Sequence, residues 1–559
     1  MSLSRKDPGR IEFGDFQTPP ELAARVVRAL GALGWDFSRV IEPTCGTGAF
    51  LCAVLESREQ APNPDLFLSG WDINAGHIER ARGNLAKYGR DRAISLRERN
   101  VFQIDWEEEG EDLAPGTLFL GNPPWVTNSS LSSLNASNLP KKSNFQKRSG
   151  YDALTGKSNF DVSEWLLIQI ANLISGRDAA MAFIVKTSVA RKIFRHAVAG
   201  ELSLRDFRIY RLDARKNFGV AANACLFFAR GVPEPNAKDN ISRGENVAAF
   251  CSVHDRLENP ESSANIGCLE NRLIADSGTY AELRDLDAGS EFPWRSGIKH
   301  DCSSVMILTR ENSRYRNGLG QIASLPDDYL YPLCKGSDIA PRGRPSVERF
   351  VLVTQKNVGE QTDSIRRNSR ATWEYLESHR ERLDGRKSVV YRRSPPFSIF
   401  GVGRYSFLPW KTAISGLYKD ARFTLIGPRE NKPVMLDDTC YFLSFRSPEE
   451  AHFVLRLLNS GIARRFLDAL IFRDNKRPIT ASLLNRLSLK ALAGRLDLLE
   501  EYIALFGQTK VDSAAANASA LDDDPGGVAP TAARRKPDTS PDRPDRDESR
   551  PPESMYAPS

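Results

Sequence analysis

The chain has 559 residues, 41% of them hydrophobic and 26% charged, with a formal net charge of +6. That length exceeds what one core supports and sets an expectation of two or three domains. The absence of any run of about 18 apolar residues argues against a membrane span, and Met1-Ser2-Leu3-Ser4-Arg5-Lys6 lacks the apolar stretch of a secretory signal. Eight cysteines are scattered without a CxxC pair, so no metal site and no disulfide framework is expected, and a cytoplasmic protein is. The mild positive charge permits a nucleic-acid partner and equally suits a slightly basic protein without one.

From about residue 15 to 230, apolar strand-like runs alternate with amphipathic helical patterns, the rhythm of an open α/β sheet. In chain order this predicts a helix over 21–30, a strand at Val40-Ile41-Glu42, a helix over 50–56, and strands at 66–68 and 118–120. A helix over 162–174 and strands at 181–185 and 224–228 follow. A polar stretch around Pro233-Glu234-Pro235-Asn236 reads as a linker. Residues 245–505 mix short β-like runs with helices and are rich in aromatics and arginines, without α/β alternation; a separate α+β domain is expected. From 509 to 559 the Ala, Ser, Asp, Pro and Arg content cannot build a core, and a disordered tail is expected.

Strand Val40-Ile41 runs into Glu42-Pro43-Thr44-Cys45-Gly46-Thr47-Gly48 and then a helix. A glycine-rich strand-to-helix turn lets backbone approach a nucleotide-like ligand closely. Taken alone the turn is equally a structural one. Glu42 at the strand end can face the amino and sulfonium groups of S-adenosylmethionine, and Asp72 at the next strand end can accept from both ribose hydroxyls. A lysine followed by Ser or Thr is missing from the loop, which disfavours a nucleoside triphosphate. At the third strand end, Asn100 can bond an adenine amine while Val101 or Phe102 packs on the ring. Cys45 and Cys225 read as packing residues.

Apolar 118–120 and Gly121 deliver Asn122-Pro123-Pro124-Trp125 to a strand's carboxyl end, the active edge of an open α/β sheet. An aromatic amine is a poor nucleophile because its lone pair is delocalised into the ring. Two acceptors, the Asn122 side-chain oxygen and the Pro123 carbonyl, can draw its hydrogens toward a tetrahedral nitrogen whose lone pair points at a methyl donor. Pro123 and Pro124 fix the backbone, so the acceptors need little reorganisation. Trp125 offers a stacking face for a base that has left the duplex. In isolation these four residues are a proline turn as often as a site; their place after the glycine loop, Asp72 and Asn100 makes the catalytic reading.

This order of motifs resembles the gamma-class, TaqI-type DNA adenine-N6 methyltransferases of restriction–modification systems. The resemblance implies a Rossmann-like class I methyltransferase domain at 1–235, a mixed seven-stranded sheet with helices on both faces, followed by a target-recognition domain at 245–505. Phe16-Gln17-Thr18-Pro19-Pro20-Glu21-Leu22 is similar to the segment that closes over the cofactor's methionine end. The implied cofactor contacts are Thr18, Glu42, Thr44, Gly46, Gly48, Asp72, Ile73, Asn100 and Val101, with Asn100 standing where most members carry Asp. Lys216-Asn217-Phe218-Gly219-Val220 is similar to the segment whose aromatic sandwiches the flipped base, which assigns Phe218. The Ser/Asn/Lys-rich stretch 128–157 falls where the family has a mobile loop. In 245–505, Lys335, Arg392, Arg393 and Arg404 lie in basic-aromatic clusters suited to phosphate contacts, although each cluster alone also suits a solvated face. The implied activity is site-specific methylation of adenine N6 in double-stranded DNA, with a separate restriction endonuclease as a further partner. Other readings are a methyltransferase acting on RNA or on a protein amide, and a non-catalytic DNA-specificity subunit.

Overall fold

In the first half of the chain, apolar runs and amphipathic helices build one large sheet covered on both faces. The computed structural model describes residues 17–34, 36–58, 65–88, 93–126, 161–233, 249–339 and 349–507. The expected loop at 128–157, most of the expected linker and the expected tail lie outside these residues. The chain forms two units, residues 1–499 and 500–559. In the second, residues 500–506 are helical.

The elements that position the site are, in chain order, α1 (Pro20–Gly31), β1 (Arg39–Glu42), α2 (Ala49–Ser57), β2 (Phe67–Asp72), α3 (Ala75–Leu85) and β3 (Ala93–Glu98). They continue with α4 (Trp106–Glu111), β4 (Thr117–Gly121), α5 (Val162–Ile174), β5 (Ala179–Lys186), α6 (Thr187–Ala199) and β6 (Leu204–Asp213). Last come α7 (Ala214–Phe218), β7 (Asn223–Gly231), β8 (Ala249–His254), β9 (Ala264–Leu269) and β10 (Arg272–Ile274). The strand order is β10-β9-β8-β6-β7-β5-β4-β1-β2-β3. Strands β1 to β5 are parallel, and β7 lies antiparallel to both β5 and β6. Strand β8 pairs parallel with β6, and β9 and β10 follow antiparallel.

β4 and β5 are buried along nearly their whole length, as parallel strands covered on both faces must be. Their side chains alternate. Phe119, Met181, Phe183 and Val185 pack with residues of α5 and α6, while Leu118, Leu120, Ala182 and Ile184 pack with α1 and α2. Helix α1 begins with proline in its first turn and buries Leu22, Ala23, Val26, Val27 and Leu30 along one stripe. The chain moves outward from β1 through β2 and β3, then returns to β4 on the other side of β1. The carboxyl ends of β1 and β4 therefore flank a switch-point crevice.

The sheet is longer than the sequence pattern implies. The expected seven strands are present as β3-β2-β1-β4-β5-β7-β6, and residues 249–274 add β8, β9 and β10 beside β6, beyond the boundary expected at 235–245. The physical reason is burial: Cys251, Val253, Ile266 and Cys268 join the same core as Phe207 and Ile209.

Two further sheets lie within residues 295–445. One has six strands, in the order Ile322–Ala323, Arg314–Asn317, Ile307–Glu311, Arg349–Leu352, Leu330–Cys334 and Met435–Leu436. The other has four, in the order Arg295–Ser296, Cys440–Phe445, Trp410–Ser415 and Thr424–Ile426. The segment that follows them docks on the first sheet through a buried cation. Arg191 of α6 bonds both carboxylate oxygens of Asp474 at 2.8 and 2.7 Å, and donates to Asn475 Oδ1 at 2.9 Å. Its guanidinium also lies 4.4 Å from the centre of the Phe472 ring.

Within the four-stranded sheet, Lys411 is 1% exposed and donates to the Leu408 carbonyl at 2.8 Å. Burial lowers its ammonium to about 7. The unfolded chain then binds a proton that the folded chain releases between about pH 7 and the ordinary lysine value of about 10.4. Stability should therefore rise with pH across that window, and Lys411→Met should flatten the rise and stabilise the protein at pH 7. Urea melts of both proteins at pH 7, 8 and 9 check this.

Candidate active site

Strand β1 delivers Glu42 to the crevice with the side chain 3% exposed. Burial, and secondarily the charge of Asp72, push its carboxyl well above the usual carboxylate range, against a single backbone N–H from Leu51. Its Oε2 is buried and meets no hydrogen-bond partner among the described residues, and the same holds for Thr44 Oγ1. An acceptor kept dry and unanswered fits a cationic group of a ligand. The thiol of Cys45 beside it is also pushed up by burial, which suits a packing residue.

Backbone geometry shapes the rest of this pocket. Gly46 and Gly48 adopt positive φ of 51° and 80°, and Gly48 caps the start of α2. A Cβ on Gly46 would stand 2.4 Å from Gln17 Oε1, the atom that accepts from the Thr47 N–H at 3.2 Å and from its hydroxyl at 3.3 Å. Asp72 ties the loop from the other side: Oδ2 accepts from the Gly46 N–H at 2.9 Å and Oδ1 from the Asn74 N–H at 2.8 Å. His77 Nδ1 also lies 3.3 Å from Oδ1; a carboxylate offers about four lone-pair sites, so at least one remains for a ligand. Ile73, next in the chain, is 45% exposed, a large apolar side chain presented at a strand end. Val101 is buried. Asn100 caps its own turn, its Oδ1 accepting from the Phe102 N–H at 3.0 Å, so the amide is partly engaged before any ligand contact.

At the end of β4, a Cβ on Gly121 would lie 3.2 Å from the Phe183 ring and 3.6 Å from Glu42 Cγ. Glycine thus lets the start of the tetrapeptide pass close to the acidic pocket. Asn122 Nδ2 donates to Thr18 Oγ1 at 3.3 Å, which turns the amide oxygen the opposite way. Gln17 and Thr18, adjacent in the chain, therefore clasp the glycine loop and the tetrapeptide respectively. Gln17 lies in the segment expected to close over the cofactor but was not singled out there; its polar side chain before the proline pair was the available signal. Trp125 is 7% exposed, its indole N–H donating to the Ile184 carbonyl at 3.3 Å. Its ring meets Phe218 edge-on, with centroids 5.2 Å apart at 72°. The structure thus brings together Thr18, Glu42, Asp72, Asn122, Trp125 and Phe218 along the carboxyl edge of the sheet.

The four basic residues singled out further along are on other elements. Arg392 and Arg393 are exposed at the end of the short turn Val389–Arg393, which also presents Val389 at 60% exposure. Arg404 is exposed at the start of the turn Arg404–Phe407, and Lys335 is half-buried. Neighbouring Arg386 is buried, lies 3.7 Å from the Tyr391 ring centre and donates to the carbonyls of Leu383, His300 and Ser398. It is framework for the turn that carries Arg392 and Arg393. A cleft of about 580 Å³ lies elsewhere, lined by Arg272, Asp287, Arg477 and Arg486 among others and by none of the crevice residues. Among the described residues no cluster of His, Cys, Asp and Glu could hold a metal ion, and no helix is long and apolar enough to cross a membrane.

No protein-family model matches the chain. It is 43% identical over 485 residues to the type II methyltransferase M.NspV of Nostoc sp. (strain ATCC 29411 / PCC 7524), across 87% of this chain and 98% of that protein. The chain belongs to the type II methyltransferases of restriction–modification systems. Among solved structures, the methyltransferase is similar to the type IIL restriction–modification enzyme MmeI, at 13% identity and a TM-score of 0.46, over 83% of this chain and 64% of that one. The type IIG restriction endonuclease BpuSI gives 14% identity and a TM-score of 0.34, over 84% and 58%.

Glu42→Gln removes the buried acid while keeping its shape. The free methyltransferase should melt at the same temperature or higher, whereas a cationic ligand should bind about 10- to 100-fold more weakly, the worth of a hydrogen bond to a charged group. Differential scanning fluorimetry and calorimetric titration with S-adenosylmethionine read the two effects.

Proposed function

We propose that this methyltransferase transfers a methyl group from S-adenosylmethionine to the exocyclic N6 amine of an adenine flipped out of double-stranded DNA, as the modification component of a restriction–modification system. The observation that carries this reading is the pairing of a buried, unanswered Glu42 oxygen with the Asn122 amide at the ends of adjacent strands β1 and β4. The first suits the cofactor's ammonium, and the second suits an acceptor amine.

Bound in the crevice, S-adenosylmethionine supplies an electrophilic methyl group on a sulfonium. Glu42 holds the positive amino acid end, with Thr44 and the Gly46–Gly48 turn around it, and Thr18 and Gln17 close that end. Asp72 would accept from the ribose hydroxyls with the lone-pair capacity that its contacts to Gly46, Asn74 and His77 leave. Exposed Ile73 and buried Val101 pack on the cofactor's adenine, and Asn100 bonds it with what its cap leaves over. The Asn122 Oδ1 and the Pro123 carbonyl accept the two hydrogens of the target amine and localise its lone pair; Pro124 keeps that backbone stiff. No nucleophilic side chain is required.

Trp125 and Phe218 enclose the target base. A base held between two rings needs about 3.5 Å on each face, the optimal separation of contacting carbons, so rings whose centroids are 5.2 Å apart must separate to admit it. Arg392, Arg393, Arg404 and Lys335 serve as backbone contacts within a recognition region at 245–505, of which 249–274 also complete the catalytic sheet. A separate restriction endonuclease is the expected counterpart.

Incubation with tritiated S-adenosylmethionine and plasmid DNA, followed by nucleoside analysis, should place the label on N6-methyladenine. Label in RNA or protein and not in DNA overturns the reading. Asn122→Ala should lower transfer by at least about 10²–10³-fold, the scale of losing one preorganised polar group, with cofactor affinity retained.

A further inference from the structure

Strand β5 ends in a lysine outside both the cofactor crevice and the aromatic pair. Lys186 Nζ donates to the backbone carbonyl of Trp125 at 2.9 Å and to Asp161 Oδ2 at 2.6 Å. These two partners flank residues 127–160, and beside them the Val162 N–H donates to the Val126 carbonyl at 2.9 Å. Asp161 is itself fixed: it is 7% exposed, caps α5, and accepts at Oδ1 from the Ser163 N–H at 3.1 Å and hydroxyl at 2.6 Å. The Trp125 indole meanwhile donates to Ile184, two residues before Lys186 on the same strand. Residue 125 is thus held by β5 at both its ring and its carbonyl.

The tetrapeptide needs such an outside hold. Pro123 and Pro124 have no N–H, so their stretch of backbone cannot anchor itself by donating to a neighbour. What fixes the direction of its carbonyls is the proline rings on one side and whatever grips residue 125 on the other. A buried aspartate that orients an ammonium makes that grip directional.

We propose that Lys186 is a positioning residue for methyl transfer. It holds the Trp125 carbonyl and, through it, keeps the Asn122 and Pro123 acceptors aimed at the target amine. The role rests on the reading of Asn122–Trp125 as the acceptor-amine site.

The test uses the full chain. Lys186→Met combined with Asp161→Asn removes the grip without leaving a buried, unpaired carboxylate. Its single-turnover transfer rate should fall about 10²-fold, the cost of a misplacement near 1 Å, while dissociation constants for S-adenosylmethionine and for DNA stay unchanged. Lys186→Arg, which can donate to both partners, should recover at least about a tenth of the wild-type rate. If the double variant does not fold, Lys186→Gln is read in its place and should show a rate loss of at least about tenfold with the same unchanged affinities. A folded variant that transfers at the wild-type rate overturns the proposal, as does a rate loss matched by an equal loss of affinity. Asn122→Ala in the same assay separates the two failures. If it stays active, the acceptor-site reading fails; if it is inactive while the Lys186 variants are normal, only the role of Lys186 does.

Discussion

The carboxyl group of Glu42 is buried at the end of β1, and one of its oxygens meets no donor among the described residues. Keeping an ionised carboxylate there costs several kcal/mol unless a counter-charge answers it. Burial, and secondarily Asp72, push the carboxyl upward, toward its neutral form. The neighbouring structure keeps the oxygen dry without satisfying it. Gly121 brings β4 close, the Gly46–Gly48 turn wraps over, and Gln17 pins that turn from outside. A cation that enters would answer that oxygen with a charge pair in a low-dielectric setting. The crevice is therefore prepared for a positive ligand by what it withholds from Glu42.

The parts of the site that follow from chain order were legible in the sequence, because they follow from strand ends. Glu42, Asp72 and Asn122 each come at or just after an apolar run, and parallel strands put those ends, with Asn100 just past β3, on one edge. The central strands were legible for the same reason: β4 and β5 are apolar on both faces. β3 and β6 were not. β3 sits at the sheet edge and is largely half-exposed or exposed, while β6 alternates with charged residues and shifts register between Arg205 and Arg208. The place of β8 to β10 in this sheet escaped because only β8 reaches it, by pairing with β6 across a long connection, while β9 and β10 pair locally with β8 and with each other. Side-chain engagement was equally invisible. That Asn100 spends its oxygen on its own turn, or that Arg386 is framework and Arg392 surface, depends on contacts that spacing does not encode.

Strand β5 and helix α6 join the two halves of the molecule mechanically. Lys186, at the end of β5, grips the tetrapeptide; Arg191, five residues on in α6, grips Asp474 and Asn475. Lys192 of the same helix pairs with buried Glu164 of α5 at 2.5 Å. Each cation is on a rigid element, and each partner lies on a different segment. The Arg191 guanidinium is 6% exposed, bonds Asp474 and Asn475 through its two terminal nitrogens and lies over the Phe472 ring. The segment that follows the two further sheets is thus seated against the same short stretch that holds the Trp125 carbonyl.

The two aromatics of the proposed base slot are held very differently, and the difference assigns their parts. Trp125 is stapled to β5 through its indole and its carbonyl. Phe218 ends α7, a helix of five residues capped by Asp213 and by Gly219 at a φ of 73°. A helix so short has little stability of its own and depends on its caps. A Cβ at Gly219 would touch nothing within 4 Å, so the glycine serves the backbone turn and not close packing. In the proposed reaction the ring that yields to an incoming base is therefore Phe218. Trp125 stays as the wall, which the reaction needs, because its backbone is continuous with the acceptors that aim the amine.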